Sequence, residues 1–338
     1  MEAQTPTRPR RTWSAFGNVR KMPSEYEIVT HDTNYTLRKG REAALEQNSS
    51  SPANLWFLTY RDKSPLTIDD WQTWRDPDEL TYRRYVTIQD EQESASTRLL
   101  DKYSDAGHDQ QLSVPWRATL AMLFTPARYP THAVQLAHAY LGYMAPSPYI
   151  TNCTAFAAAD MLRRNSLLAY RTRELQRAWP DTGFGSAERE LWEGEPGWQD
   201  TRKALELALT AYDWAECFTA VNLILRPTLD DILIHQFGEV ARTNGDEQTW
   251  LLMANLNVDA ERSRRWSASL ARHAVEQRAG NADVFKRWID RWTPRADAAA
   301  AGLASLLERL PEHGRPAQET LANAFAARER VLHSTRLR

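Results

Sequence analysis

Hydrophobic and polar positions divide the chain into two unlike parts. Up to about residue 65 large apolar residues are frequent, but they fall at no sustained period. Trp13, Phe16, Tyr26, Tyr35, Trp56, Phe57 and Tyr60 are too many rings for a disordered tail and too irregularly spaced for a helix. Residues 1–65 are therefore expected to form an extended, aromatic-rich arm lying on a surface, its own or a partner's. Residues 66–338 are expected to form a single helical domain. There, helices are predicted over about 68–103 with Pro77 near the entry, then 108–127, 132–144, 149–170, 186–194, 199–240, 246–277, 281–294 and 296–310. The segment AYDWAECFTAVNLILRP is apolar on nearly every face, which marks a helix enclosed by other helices. The strand-like runs YEIVT and YVTI are short and isolated. The pattern predicts an all-α fold.

One stretch, from Tyr129 to Ala159, carries no Asp, Glu, Lys or Arg. It is not expected to span a membrane: Pro130, Pro146 and Pro148 interrupt it, and His132, Gln135, His138, Thr151 and Asn152 lie within it. Two buried helices around a proline-containing break fit better. The N-terminal sequence MEAQTPTRPRRTW has no apolar core of the kind a secretory leader uses.

Composition narrows the reading further. Lys+Arg is 42 against Asp+Glu 44, a net charge of −2, which offers no basic surplus for nucleic acid. Cys153 and Cys217 are the only cysteines, too few for a disulfide framework or a cysteine-rich cluster, and a reducing cytoplasmic setting is expected. Tryptophan is over-used, with 13 residues, and serves either a ring-rich core or subunit-interface anchors.

Long buried helices raise the question of a di-iron carboxylate centre, which places Glu and His three residues apart so that both ligands share a helix face. No Glu in the chain has a His three residues later. Asp105 and His108 stand at a sequence that reads as a helix end, and Asp231 and His235 read as an ordinary pair one turn apart. His132 and His138 fall on different helix faces, and Cys217 reads as a small core hydrophobe. GFGSAER follows no strand, so a phosphate loop there is not expected. The residues alone show no active site, so the expectation is of no catalytic and no metal-binding residue.

Several longer segments do carry a resemblance. RTWSAFGNVRKMPSEYEIVT, SPANLWFLTYRDKSPL, DPDELTYRRYVTIQDEQE, ERELWEGEPGWQ, DWAECFTAVNLILRP and DAERSRRWSASLARHA resemble, in order, the hydroxylase β subunit of soluble multicomponent di-iron monooxygenases, within the toluene/alkene/isoprene group. The resemblance implies a ferritin-like helical bundle, related to that of ribonucleotide reductase, acting as a non-catalytic structural subunit in an (αβγ)₂ assembly. It implies that the di-iron centre lies in the partner α subunit, and that α, γ and a second αβγ protomer are stable partners. An effector protein, a Rieske-type ferredoxin and a reductase using NADH, FAD and iron–sulfur clusters would be transient partners. The assembled enzyme would insert one oxygen atom from O₂ into a hydrocarbon, by aromatic hydroxylation or alkene or isoprene epoxidation. No nucleic-acid or membrane partner is implied.

In the family's α subunit a D-E-x-R-H pattern occurs twice. The comparable segments here are DMLRR, Asp160 to Arg164, and DAERS, Asp259 to Ser263. Met161, Arg164, Ala260 and Ser263 then stand where Glu and His ligands would be. Arg163, Arg164, Asp160, Asp259, Glu261 and Arg262 are expected to form a buried ion-pair network in place of the metal, since buried charge must be paired; neutral packing around Met161 is the alternative. Trp13, Phe16, Tyr26, Trp56, Tyr60, Trp71 and Trp74 are expected at the subunit interface. Two other readings stay open: a stand-alone helical scaffold or regulatory protein, and a helical metalloenzyme with an atypical site.

Overall fold

A computed structural model of the chain describes residues 23–31, 52–310 and 314–337. Among these no strand occurs. YEIVT and YVTI, the two strand-like runs, lie inside helices Glu25–Thr30 and Tyr82–Asp105. Eight helical rods organise the bundle: α1 (Tyr82–Asp105), α2 (Arg128–Met144), α3 (Pro148–Ala178), α4 (Pro196–Ala208), α5 (residues 214–243), α6 (Glu247–Gln277), α7 (Asn281–Glu308) and α8 (Ala317–Ser334). No described helix is long and apolar enough to cross a membrane.

Their starts follow from local chemistry. Ser147 accepts the Tyr149 amide, and Pro148 occupies the first helical position, where its missing N–H costs nothing. Asp213 accepts the amides of Ala215 and Glu216 at 2.9 and 3.0 Å and so starts α5 afresh. This cap explains why the predicted 199–240 segment divides into α4 and α5.

At the head of α6, Asp246 does several jobs at once. One oxygen accepts the Thr249 amide and lies 3.0 Å from His108 Nε2; the other accepts Trp116 Nε1–H at 2.9 Å. His108 therefore pairs across the bundle, not with Asp105. Burial pushes the Asp246 carboxyl up, but the His108 bond and the Arg171 charge outweigh it and hold it below the usual carboxylate range. The contribution is present above the unfolded value and lost as pH falls through the lower folded one. Asp246→Ala removes a cap and two buried acceptors, and should cost about 3 kcal/mol in urea unfolding.

The rod α5 is the centre of the bundle, flanked by α2, α6, α7 and α8. Its residues Trp214, Phe218, Val221, Ile224, Leu225 and Ile232 are fully enclosed, as the all-round apolar pattern predicts. It is not a uniform α-helix. Wide π turns run over Thr219–Leu225 and Asp231–Gln236. A similar π stretch, Leu120–Phe124, precedes α2. Two of these three stretches end just before an X-Pro pair, Thr125-Pro126 and Arg226-Pro227. A widened turn lets the chain pass a residue that has no N–H and whose ring would strike the preceding turn. The third brings Gln236, five residues on, to the Asp231 carboxylate at 2.6 Å, so the expected Asp231–His235 pair does not form.

Proline sets fewer boundaries than the sequence suggests. Pro294 lies inside the single helix α7, where two helices were expected; Arg295 reaches the Arg291 carbonyl within the turn that the ring disturbs. Helix α7 packs along α4. At their closest approach Gly302 faces Gly197: a Cβ on Gly302 would overlap the Gly197 carbonyl oxygen, and one on Gly197 would lie 2.5 Å from Leu306 Cδ2. The helix α8 was not anticipated.

Within the expected arm, Trp13, Phe16 and Tyr35 lie outside the described residues. Glu25–Thr30 is a short helix with a capping box from Ser24 and Glu27, and Pro52–Phe57 is another, running on as a π turn. These segments are helical where no helix was expected, because a local cap and internal ring contacts replace long-range periodicity. Tyr26 and Trp74 are buried within the chain, Tyr26 against Tyr149 and Trp74 through Nε1 to Ser269. Their ring area is already desolvated here, so neither can serve a partner as expected. Trp56, Tyr60 and Trp71 remain half-buried: Trp56 and Tyr60 pack with Tyr212, and Trp71 meets Trp214 edge-on.

Candidate functional site

The two segments singled out by resemblance, DMLRR and DAERS, lie on α3 and α6 and meet in the interior. Asp160 and Arg163, like Asp259 and Arg262, are three residues apart and so share one helix face. The pairs cross between helices. Arg262 Nη2 donates to Asp160 at 2.6 Å, and Arg163 Nη1 donates to Asp259 at 3.0 Å. Arg262 also bonds Asp259 within its own helix at 3.0 Å. From α1, the Tyr85 hydroxyl donates to Asp160 at 3.0 Å, and Gln89 and Gln92 donate to Asp259 at 2.9 and 3.2 Å. Glu93 closes the outer edge on Arg163 Nε at 2.5 Å. Four of the six expected members, Asp160, Arg163, Asp259 and Arg262, thus form the network, while Glu261 is exposed and takes its bond from Asn257, one turn back on the same face, and Arg164 turns elsewhere.

Arg164 belongs to a second cluster. It donates to Asp230 on α5 at 2.7 Å, and Asp230 also accepts from Arg226 Nε at 3.2 Å. A further Arg226 nitrogen, Nη1, donates to Ser263. Arg226 and Asp230 escaped the sequence reading because LILRPTLDD looks like the charged end of an apolar helix. The signal available was their one-turn spacing within that apolar segment, since a charge is rarely left inside without a partner.

The two clusters treat their carboxylates oppositely. Burial, then the neighbouring Asp259 charge, pushes the Asp160 carboxyl up to about 6, against Arg262 and Tyr85. Asp230 is pushed up by burial as well, but the guanidiniums of Arg226 and Arg164 prevail and hold it below its ordinary value. The folded protein holds the Asp160 proton more tightly than the unfolded chain. Its contribution to stability therefore weakens as pH rises from about 4 to about 6 and recovers as pH falls. Asp160→Asn should remove this component: between pH 6 and pH 4 the wild type should lose less stability than the variant in parallel urea titrations. Equal slopes would show that Asp160 does not titrate in this range.

A neutral polar chain lies beside the second cluster. His138 is fully enclosed, its Nδ1 donating to the Val134 carbonyl at 2.9 Å and its Nε2 facing Asn222 Nδ2 at 3.3 Å. Burial, then the Arg226 charge, lowers its pKa to about 3, so the ring is neutral. His132, on another face of the helix, is exposed. Cys153 and Cys217 are buried, and burial pushes both thiols up, Cys217 to about 12. Neither is a nucleophile in this setting.

The four positions singled out by the resemblance carry a thioether at Met161, a guanidinium at Arg164, a methyl at Ala260 and a hydroxyl at Ser263. Two iron ions need several carboxylate or imidazole donors free of competing cations. Here Asp230 is held between Arg164 and Arg226, and Asp160 and Asp259 share Arg262. These residues do not fit a di-iron centre. Among the described residues, no group of three or more His, Cys, Asp or Glu is placed to hold a metal ion.

The family described as Methane/Phenol/Alkene Hydroxylase matches residues 56–278. The chain is 42% identical, over 89% of its own length and 91% of the relative's, to the hydroxylase component subunit beta of the toluene-4-monooxygenase system of Ectopseudomonas mendocina. It is 31% identical to the small subunit of the propane 2-monooxygenase hydroxylase component of Gordonia sp. strain TY-5, over 47% of this chain and 44% of that one. A solved structure of toluene 4-monooxygenase with toluene bound in the resting active site superposes with a TM-score of 0.83 at 40% identity, covering 90% of this chain and 99% of that one. Phenol hydroxylase from Pseudomonas sp. OX1 shares the fold, with a TM-score of 0.82 at 17% identity, covering 99% and 98%.

Proposed function

Because the chain belongs to the methane/phenol/alkene hydroxylase family, we propose that it is the structural β subunit of a multicomponent di-iron monooxygenase hydroxylase, with a ferritin-like fold and no reacting group of its own. The observation that carries this reading is the arginine-filled centre. Met161, Arg164, Ala260 and Ser263 stand at the positions that the resemblance matches to the family's ligands, and the nearby carboxylates are committed to guanidiniums. Oxygen chemistry then belongs to the di-iron centre of an α partner. This chain contributes a rigid helical body, fixed by its internal ion pairs, against which α is assembled.

The assembly is (αβγ)₂, and its substrate is a hydrocarbon that is hydroxylated on an aromatic ring or epoxidised at an alkene. Electrons arrive from NADH through a flavin and iron–sulfur reductase and a Rieske-type ferredoxin, and a small effector protein docks during turnover. The compartment is the cytoplasm. The arm, residues 1–65, binds α, with Trp13, Phe16, Trp56 and Tyr60 as its aromatic anchors, and Trp71, just beyond the arm, adds a further ring. Obligate interfaces bury large apolar areas, and half-buried rings such as Trp56 and Trp71 supply them.

Co-expression tests the reading. A tagged copy of this chain, produced with and without its neighbouring subunits, should yield a complex of about six chains that contains iron only when α is present. A folded, isolated chain that retains two irons would overturn the proposal. Removing residues 1–60 should reduce recovery of the complex without changing turnover per iron in whatever assembles; full recovery would exclude the arm as an anchor.

A further inference from the structure

Between α2, α3 and α5, where the second cluster lies, is a small cavity of about 20 Å³. It is lined by Met161, Arg164, Arg226 and Asp230, with Thr131 of α2 at its edge; these residues are all less than a tenth exposed. The space suits one water-sized occupant.

Its polar groups are unevenly matched. Arg226 Nε is bonded to Asp230 and Nη1 to Ser263, but Nη2 is buried with no partner. Among the described residues, Arg164 bonds only Asp230. Thr131 donates its hydroxyl hydrogen to the Ala127 carbonyl. Two guanidiniums thus meet one carboxylate, and the remaining lining residues are neutral. Asp231, next in the chain, is turned to Gln236; Arg264 lies within electrostatic reach of Asp230, but Asp231 and Glu261 offset its charge, so the surplus is that of the two lining guanidiniums over Asp230. The neighbouring His138 remains neutral, so it does not change this balance.

We infer that this cavity is a site for one small monovalent anion, of which chloride is the physiological form, held by Arg226 Nη2 and the Arg164 guanidinium. A water molecule could accept from Nη2, but it would leave the surplus positive charge uncompensated in a buried site. A divalent oxyanion is too large for the space, and Asp230 would repel its second charge. Met161 and Arg164, two of the positions that the resemblance matches to metal ligands, line this cavity, and the sign of an anion is the reverse of what a metal would require. The site lies wholly within this chain, so the inference does not depend on the proposed assembly.

Bromide substitutes for chloride and scatters anomalously. Crystals of the hydroxylase, or of this chain alone, soaked in sodium bromide should show an anomalous peak in the cavity within hydrogen-bonding distance of Arg226 Nη2. Arg226→Met crystals should lose it. In solution, the wild-type unfolding temperature should rise by a few degrees when chloride replaces gluconate at constant ionic strength, and that of Arg226→Met should not. An empty anomalous map, with density that refines as water, would overturn the inference. So would a chloride response that the variant retains. If the variant does not fold, the wild-type bromide map decides alone.

Discussion

Arg262→Met is expected to destabilise the chain by about 3 to 5 kcal/mol, enough to remove most of the folded subunit from cells. Among the described residues Arg262 is the one cation that bonds both Asp160 and Asp259, Gln89 being the neutral group that also bridges them, and all three charged residues are almost wholly buried. Taking away the cation leaves Asp160 with only Tyr85 and Gln89, beside a second carboxylate. The cost comes chiefly from the orphaned charge rather than from the lost attraction. This has a consequence that separates the two causes. Adding Asp160→Asn to Arg262→Met should restore a large part of the stability, because the double variant no longer buries an unmatched anion. The urea midpoints of the wild type, the two single variants and the double variant measure the coupling directly. Additive effects would mean that the pair is solvated in practice. Arg189, whose partner Glu193 lies on the surface, is the control, and Arg189→Met should leave the midpoint unchanged.

Gly302→Ala is expected to be the most damaging single-methyl change, at about 3 kcal/mol. In an exposed helix this substitution would stabilise by up to about 1 kcal/mol, through helix propensity. Here the new Cβ would overlap the Gly197 carbonyl oxygen, a backbone atom that cannot rotate away. Separating α4 from α7 to make room would loosen the packing of Leu306. Overpacking therefore outweighs propensity. Gly280→Ala, where a Cβ meets nothing within 4 Å, should be near neutral. Thermal unfolding of the two variants side by side checks the sign as well as the size. A stable Gly302→Ala protein would mean that the two helices are farther apart than described.

Much of this architecture could be read from residue order, and the misses have physical causes. The central rod declared itself because AVNLIL is apolar all round, and such a run is stable only when enclosed. The boundary at Pro294 misled because proline was weighed as a local breaker, while the surrounding stripe of Phe285, Trp288, Ile289, Trp292, Ala296 and Ala299 continues across it and holds the helix together. The last helix, α8, buries Thr320, Ala324, Ala327, Arg328, Val331 and Leu332. Those positions are correctly spaced, but small or charged side chains make a faint stripe. The short helices near Tyr26 and Trp56 are too brief to show a period.

The site was legible to a different degree. Counting excluded Glu-x-x-His, and the need to pair buried charge pointed to Asp160, Arg163, Asp259 and Arg262. That Arg164 turns instead to Asp230, which Arg226 shares, was not legible, because that partner lies 66 residues along the chain. Glu261, one position before Arg262, faces outward as helical phase requires.

The arginine-filled centre also limits what a single substitution can do there. Suppose Met161 alone became Glu: the new carboxylate would enter a space already flanked by Arg164 and Arg226, and would join a salt bridge before it met a metal. Suppose Arg164 alone became His: Asp230 would keep Arg226, and one imidazole would stand without the other donors. Changing Ala260 or Ser263 singly fares no better. No one-step path from the present sequence yields even a weak metal site on which selection could act. The buried arginines, each committed to a carboxylate, make this centre resistant to acquiring a metal one residue at a time.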